Sequence, residues 1–207
     1  RAEARARPAR RYDELDRVEA VADYGTNGGA ELTDFDPGDD GTQGYGDGPP
    51  ESSDSVLVTT MVYNEAGQLE DTTDPGGHLT RREYDLLGRL VRVTSDPSGL
   101  ARKVETQYDA ASRITTRKTW TASGSGLEET EYVYGVVKGA RPDSEIASNG
   151  LLKSIKYPDP TSGSPSNSLK ESFAYNAQGE VVYRVDQNST IRQFDFDEIG
   201  RRTADRA

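Results

Sequence analysis

Hydrophobic and polar residues alternate along several short stretches of the chain. The clearest of them are 57–63, 104–108, 173–175 and 181–185. Alternation with a period of two is typical of β-strands that bury one face. Segments rich in Asp, Pro and Gly separate the stretches and indicate turns, and no segment has convincing helical periodicity. The pattern therefore predicts an all-β fold of antiparallel β-hairpin repeats that form a coiled sheet strip.

One short phrase recurs within this pattern. It consists of an aromatic residue, Asp or Asn, two variable residues, usually Gly, a polar residue and usually an aliphatic residue. It starts at Tyr12, Tyr63, Tyr84, Tyr108, Tyr175 and Phe196, and an incomplete copy starts at Tyr134. The intervals from Tyr63 to Tyr84 and from Tyr175 to Phe196 are both 21 residues. Recurrence at a nearly fixed interval predicts stacked, equivalent structural units.

The phrase predicts a hairpin with a three-residue loop. In the copy at Tyr84, Asp85 would open the turn through its side chain, and Gly88 would adopt positive φ as a bulge. Arg89 then faces Asp85, and Leu90 faces Tyr84, which makes an aromatic–aliphatic cross-strand pair. The same count pairs Tyr12 with Val18, Tyr63 with Leu69, Tyr108 with Ile114, and Tyr175 with Val181.

The turn positions vary among the copies. Glycine is present at Gly67, Gly88, Gly179 and Gly200, whereas Asp16 and Ser112 replace it elsewhere. Because Ser tolerates positive φ less well than Asp, we expect a reshaped turn at Ser112.

An ion pair is predicted across four of the turns. The pairs are Asp13–Arg17, Asp85–Arg89, Asp109–Arg113 and Asp197–Arg201. We expect them to set register and solubility more than stability. The copies with Asn64 and Asn176 are expected to keep the turn without the ion pair.

Composition restricts the classes of function. Hydrophobic residues make up 32% of the chain, and 11 tyrosines supply much of the apolar mass. The formal net charge is −11, which argues against nucleic acid and anionic membranes as partners. The sequence has no cysteine, no signal peptide and no apolar run long enough to span a bilayer. Since it starts and stops within the repeat pattern, we expect an internal segment of a longer polypeptide.

Five regions follow from the repeat and its interruptions. They are a degenerate repeat at 1–24, an acidic insertion at 25–54, repeats at 55–120, degenerate repeats with long loops at 121–167, and repeats at 168–207. Clustered carboxylates in the first insertion suit Ca²⁺, and the candidate ligands are Asp34, Asp36, Asp39 and Asp40. Their spacing does not fit an EF-hand loop or the nonapeptide calcium repeat, so we favour a solvated loop. Trp120 and Tyr157 beside the second insertion are candidates for stacking on a glycan, although packing is the commoner role of such residues.

The phrase Tyr-Asp-x-x-Gly-Arg-Leu, together with joints such as Asp74-Pro75-Gly76-Gly77, resembles the YD repeat of the RHS family. That family includes Rhs polymorphic toxins, wall-associated proteins, the C component of Tc toxins, and teneurins. The resemblance implies a sheet coiled into a hollow shell, which in several members encloses a C-terminal toxin. It also implies a self-cleavage motif, whose letters match residues 96–100. Since the same letters form an ordinary joint, we favour a joint there.

Catalytic chemistry has little support in the sequence. There is no cysteine nucleophile, the one histidine is His78 in a turn, and no pair of carboxylates has a recognisable catalytic spacing. We therefore expect a non-enzymatic structural segment without a cofactor, in a secreted or surface-attached bacterial protein. Its expected partners are the rest of its polypeptide, a toxin cargo, or further copies that join through exposed sheet edges. The alternatives are a module whose insertion loops bind cell-surface glycans or a partner protein, and, with least support, a polysaccharide-degrading enzyme.

Overall fold

The structure is a computed structural model that describes residues 8–23, 25, 52–53, 56–99, 101–120, 126–139 and 143–206. The four candidate calcium ligands and the rest of 26–51 lie outside these ranges, as do 121–125. Every regular element within the described residues is a β-strand. The predicted all-β class is therefore confirmed.

The chain divides into two compact units, Arg1–Arg102 and Lys103–Ala207. The first unit contains β1 (Ala9–Tyr12), β2 (Val18–Asp23), β3 (Leu57–Tyr63), β4 (Leu69–Thr73), β5 (Leu79–Tyr84) and β6 (Leu90–Ser95). Each strand pairs antiparallel with the next one in sequence. The unit is thus a meander in which the order in space repeats the order in the chain.

The second unit contains β7 (Arg102–Tyr108), β8 (Ile114–Trp120), β9 (Leu127–Val136), β10 (Ser148–Pro158), β11 (Pro165–Tyr175), β12 (Val181–Val185), β13 (Ile191–Phe196) and β14 (Arg202–Arg206). It is likewise an antiparallel meander in sequence order. The long strands β9 and β10 lie in the region 121–167, for which degenerate repeats were predicted.

Little of either unit is fully buried. The buried apolar residues are Ala20, Ala22 and Val58 in the first unit, and Val136, Ala174 and Tyr175 in the second. Among the described residues, no large side chain is completely excluded from solvent. A thin core of this kind follows from the low hydrophobic fraction, and it leaves cross-strand pairs and main-chain hydrogen bonds to hold the sheet together.

Candidate functional site

The repeating hairpin turn is the feature that the sequence singles out, and its predicted register is confirmed. In the β5–β6 hairpin, Tyr84 pairs with Leu90, and Asp85 and Gly88 lie in the turn between the two strands. The main-chain N–H of Asp85 donates to Arg89 O at 3.0 Å, and that of Gly88 donates to Asp85 O at 2.9 Å. The aromatic–aliphatic pairs Tyr12–Val18, Tyr63–Leu69, Tyr108–Ile114 and Tyr175–Val181 are also present. Phe196 pairs with Arg202 in the last copy.

The carboxylate of Asp85 holds the turn through both of its oxygens. Oδ1 accepts the main-chain N–H groups of Leu87 and Arg89 at 2.9 and 3.0 Å. Oδ2 accepts the Nε–H of Arg89 at 2.7 Å. The Arg89 side-chain and main-chain hydrogen bonds lower the pKa of Asp85 below its ordinary value of 3.8. The carboxylate therefore fixes the backbone of the turn as well as forming an ion pair.

The other three Asp copies repeat this arrangement. The distance from the arginine Nε to Oδ2 is 2.7 Å in the pairs Asp13–Arg17, Asp109–Arg113 and Asp197–Arg201. The pKa of Asp13 is lowered first by its side-chain hydrogen bond from Arg17. The pKa values of Asp109 and Asp197 are lowered first by main-chain hydrogen bonds from Arg113 and Arg201.

The Asn copies form a side-chain pair of their own, which the sequence prediction did not include. Asn64 Nδ2 donates to Gln68 Oε1 at 3.2 Å, and Asn176 Nδ2 donates to Glu180 Oε2 at 2.7 Å. In each case the Asn Oδ1 still accepts the main-chain N–H four residues on, at 2.9 Å. The direction of the side-chain hydrogen bond is reversed relative to the Asp–Arg copies, because an amide nitrogen replaces an anionic oxygen.

The expectation of a reshaped turn at Ser112 is wrong. Ser112 has φ +60°, close to the +61° of Asp16 and within 20° of the +78° of Gly88. Its N–H donates to Asp109 O at 3.0 Å, as Gly88 does to Asp85 O. The Asp109–Arg113 hydrogen bonds and the strands on both sides therefore hold Ser112 in a backbone region that serine ordinarily avoids.

Tyrosine hydroxyls connect three of the hairpins to the hairpin before them. Tyr63 Oη donates to Val18 O and Tyr84 Oη donates to Leu69 O, both at 2.8 Å. Tyr175 Oη donates to Leu152 O at 2.7 Å. In every case the acceptor belongs to the residue that pairs with the aromatic residue of the preceding hairpin. Nothing in the sequence pattern indicated this ladder, since it joins residues of different repeats.

The polar residue that closes the turn also reaches the next hairpin in three copies. The Arg17 guanidinium lies 4.4 Å from the centroid of the Tyr63 ring, and the Arg113 guanidinium lies 4.3 Å from that of Tyr134. Gln68 Nε2 donates to Gly88 O at 2.9 Å. These three turns therefore each contact the hairpin that follows. Tyr134 holds the aromatic position of the incomplete copy, because it pairs with Leu152 as the other aromatics pair with their partners.

The junctions between hairpins have one constant register. The residue two positions after the aliphatic partner pairs with the residue three positions before the next aromatic. The pairs that follow this rule are Ala20–Thr60, Asp71–Arg81, Thr116–Glu131, Ser154–Ser172 and Tyr183–Gln193. The rule holds even beside the long β9–β10 loop. Successive hairpins in each unit are thus added by the same operation.

The joint at Asp96 differs from the other joints. Asp96 has φ +50°, and its carbonyl accepts the N–H groups of Gly99 and Ala101 at 3.0 and 2.8 Å. Asp74 instead repeats the hairpin turn, with Oδ1 accepting the N–H groups of Gly76 and His78 at 2.9 Å. Residues 96–99 form a turn, as favoured from the sequence, whereas Leu100 lies outside the described residues.

The two candidate glycan-stacking residues are not brought together. Trp120, Lys118 and Thr116 are alternate residues of β8 and therefore lie on one face of the sheet. Thr116 pairs with Glu131 and Glu131 pairs with Lys156, so Lys156 lies on that same face. Tyr157 follows Lys156 and so points to the opposite face. Lys103 Nζ lies 3.8 Å from the centroid of the Trp120 ring. Burial, and then the negative charge of Glu171, raise the pKa of Tyr157 above its ordinary value. Both side chains are half-buried in packing roles.

Among the described residues, no group of three or more His, Asp or Glu side chains is placed to hold a metal ion. No helix in the same ranges is long and apolar enough to cross a membrane.

These observations define the class of fold: each unit is an antiparallel meander of YD-type hairpins that are joined at a constant register. Residues 63–101 match the model of the RHS Repeat family. The resemblance to the YD repeat of the RHS family is thereby confirmed for residues 63–101, which form an RHS repeat. No curated protein matches its sequence.

Solved structures give the same fold. The chain matches the crystal structures of TcdB2-TccC3-Cdc42 and of TcdB2-TccC3 with a TM-score of 0.57 and 16% identity. The same values apply to TcdB2-TccC3 without its hypervariable C-terminal region. In each case the match covers 94% of this chain and 9% of the other. The chain therefore spans about a tenth of the length of the structures that it matches.

Proposed function

We propose that this chain is a wall segment of an RHS-type shell in a secreted or surface-attached bacterial protein, and that the complete shell encloses or presents a toxin or effector. The constant junction register carries this proposal. Since successive hairpins within each unit are added by the same pairing rule, a meander of this kind can be lengthened without a change in local geometry. Such a wall grows by repetition, which is what the enclosure of a large volume requires.

The hydrogen-bond ladders support a mechanical role. Tyr84 Oη joins one hairpin to the carbonyl of Leu69 in the hairpin before it, and Gln68 covers the turn at Gly88. These contacts are made between neighbouring repeats, so each hairpin stabilises the next. The resemblance of the chain to TcdB2-TccC3, one structure of which lacks its hypervariable C-terminal region, supports a shell with a separable C-terminal segment.

A protease-protection experiment on the complete parent protein tests enclosure. We expect the segment that follows the repeats to resist proteinase K in the native protein and to be digested after the shell is opened with denaturant. The same segment expressed alone is the control. Equal digestion of the segment in the native parent and in isolation would rule out enclosure, although the wall geometry would stand.

The alternative of a glycan-binding module has less support. Trp120 and Tyr157 point to opposite faces of the sheet, so they cannot stack on one sugar chain. Loop residues 121–125 lie outside the described ranges. A glycan array probed with the intact chain and with a variant that lacks 121–125 separates the two functions. Binding that disappears with the loop would establish the module, and the wall proposal expects no binding by either protein.

A further inference from the structure

The dipeptide Asn149-Gly150 lies where the pairing of β9 with β10 is interrupted. Between two successive pairs of the register, β10 advances from residue 148 to residue 152, whereas β9 moves only from 136 to 134. The extra residues of β10 form a bulge, which takes them out of the ladder. Asn149 and Gly150 are both exposed. The side chain of Asn149 and the main chain of Gly150 are therefore accessible to water.

Two hydrogen bonds act on the peptide group that joins these two residues. The Arg113 guanidinium donates through Nη1 to the main-chain oxygen of Asn149. The Ser148 hydroxyl oxygen accepts the Gly150 N–H at 3.2 Å. One contact places a positive charge at the oxygen of this peptide group, and the other places an acceptor at its proton.

Asparagine followed by glycine can close a five-membered imide ring, because glycine has no Cβ to obstruct its main-chain nitrogen. The Gly150 nitrogen loses its proton to a base and forms a bond to Asn149 Cγ. The Cγ–Nδ2 bond then breaks, and ammonia leaves with a proton taken from water. A second water adds to one of the two imide carbonyl carbons and opens the ring. The products are aspartate or isoaspartate at position 149, and the net reaction consumes one water and releases one ammonia.

We propose that Asn149 is a site of spontaneous deamidation and that Arg113 accelerates the reaction. Loss of the Gly150 proton leaves a negative charge that resonance shares with the main-chain oxygen of Asn149. The Arg113 guanidinium lies on that oxygen, and a hydrogen bond to the charged form of a group favours ionisation. The same contact stabilises the charge while the nitrogen attacks Cγ.

The Arg113 guanidinium is held in place by two further contacts. Its Nε donates to Asp109 Oδ2 at 2.7 Å, and its centre lies 4.3 Å from the centroid of the Tyr134 ring. The guanidinium is thus oriented before the reaction and needs no reorganisation during it. Deamidation adds a negative charge to the bulge that Arg113 contacts. The inference rests on this bulge and does not depend on the enclosure of a cargo.

Mass spectrometry of peptides from the native chain, sampled during incubation at neutral pH, measures the reaction. We expect Asn149 to convert faster than Asn167 and Asn188, which precede serine. Gly150→Ala should slow the conversion strongly, since a Cβ obstructs the nitrogen. The alanine Cβ would lie 3.6 Å from Ser148 Oγ, which is an ordinary contact, so this variant should remain folded.

Arg113→Ala should slow the conversion of Asn149 about tenfold. Arg89→Ala is the matched control, because it removes the same kind of turn pair from the β5–β6 hairpin and should leave the rate at Asn149 unchanged. Asn27 also precedes glycine and is an internal reference whose rate should be the same in all three proteins. In denaturant, where the arginine contact is lost, the wild type and Arg113→Ala should convert Asn149 at one rate.

Three results would overturn the proposal. They are a native Asn149 that converts no faster than Asn167, an Arg113→Ala variant that converts Asn149 as fast as the wild type or faster, and equal slowing by Arg89→Ala. A difference between the wild type and Arg113→Ala that persists in denaturant would likewise exclude the folded contact as its cause. Circular dichroism of each variant before incubation confirms that it is folded.

Discussion

The hydroxyl of Tyr84 donates a 2.8 Å hydrogen bond to the main-chain carbonyl of Leu69, the residue that pairs with Tyr63 in the preceding hairpin. The bond joins two repeats at the level of the backbone, so it stabilises their junction without dependence on the side chain of residue 69. The same bond recurs at Tyr63 and Tyr175. It explains why tyrosine, and not only an aromatic ring, recurs in the phrase.

Removal of this hydroxyl should destabilise the protein. We expect Tyr84→Phe to lower the free energy of unfolding by about 1 kcal/mol, because a half-buried carbonyl loses its partner while the ring packing is retained. Urea denaturation followed by circular dichroism measures the change. Tyr183→Phe is the matched control, since the Tyr183 hydroxyl bonds no atom of the described residues. Equal effects of the two substitutions would contradict the ladder.

The Asp85–Arg89 pair and the Asn64–Gln68 pair should be interchangeable as pairs. Asp85→Asn alone should lower Tm by a few degrees, because an amide nitrogen would then face the Arg89 guanidinium. Asp85→Asn combined with Arg89→Gln should recover much of that loss, since the Gln oxygen can accept the Asn N–H as it does at Gln68. Differential scanning calorimetry of the two single variants and the double variant measures the coupling. Additive losses would mean that the two side chains act independently.

Acid should destabilise the turns. The pKa of Asp85 is lowered by the Arg89 side chain and then by its main chain, and the pKa of Asp13 is lowered in the same order by Arg17. The unfolded chain therefore binds protons at a higher pH than the folded one. This contribution is fully present above the ordinary Asp pKa of 3.8 and is lost as the pH falls through the lowered folded values.

A series of thermal melts from pH 6 to pH 2.5 measures this effect. Tm should stay level down to about pH 5 and fall below about pH 4. The double variant Asp85→Asn with Arg89→Gln has one titrating turn fewer and should lose less Tm over the same range. A steeper acid loss in the double variant than in the wild type would refute the role of the carboxylate.

Glycine should suit position 112 better than serine. Ser112 has φ +60°, a region in which a residue with a side chain is strained. We expect Ser112→Gly to raise the free energy of unfolding by about 1 kcal/mol. Ala111→Gly in the same turn is the control and should lower stability, because residue 111 has no positive φ to relieve and glycine adds backbone entropy to the unfolded chain. Chemical denaturation that shows loss of stability for Ser112→Gly would contradict the strain.

The sequence was sufficient to predict each hairpin, because the signals are local. Tyr84, Gly88 and Leu90 lie within seven residues of one another, and turn chemistry fixes their register. It was not sufficient to predict the contacts between hairpins. The Tyr84 hydroxyl donates to a main-chain carbonyl, and because every residue has such a carbonyl, the sequence does not indicate which one is the acceptor.

Long-range packing was also beyond the sequence. The β9–β10 loop returns to the following hairpin, where Glu145 N–H donates to Tyr175 O at 2.8 Å and the buried Ser144 hydroxyl accepts the Tyr175 N–H at 3.1 Å. Trp120 and Tyr157 gave a strong aromatic signal, but strand parity places them on opposite faces. Parity depends on the bulges in the pairing of β9 with β10, and those bulges follow from no simple motif.

Two glycines with positive φ should respond very differently to alanine. Gly163 and Gly179 have φ +69° and +86°, so a side chain strains both backbones. At Gly163 an added Cβ would lie 1.7 Å from the main-chain oxygen of Leu127, whereas at Gly179 it would meet no atom within 4 Å. The turn is also hydrogen-bonded to β9, since the Glu129 N–H donates to Gly163 O at 2.8 Å. Only backbone movement can relieve the clash at Gly163.

We therefore expect Gly179→Ala to cost about 1 kcal/mol through backbone strain alone. Gly163→Ala should cost at least about 3 kcal/mol, because the turn must also separate from β9. Urea denaturation of both variants gives the difference, and hydrogen exchange at the Glu129 amide reports the separation locally, with protection lost in Gly163→Ala and kept in Gly179→Ala. Equal stabilities with an intact Glu129 amide would show that the turn at 159–164 does not pack against Leu127 as closely as the structure places it.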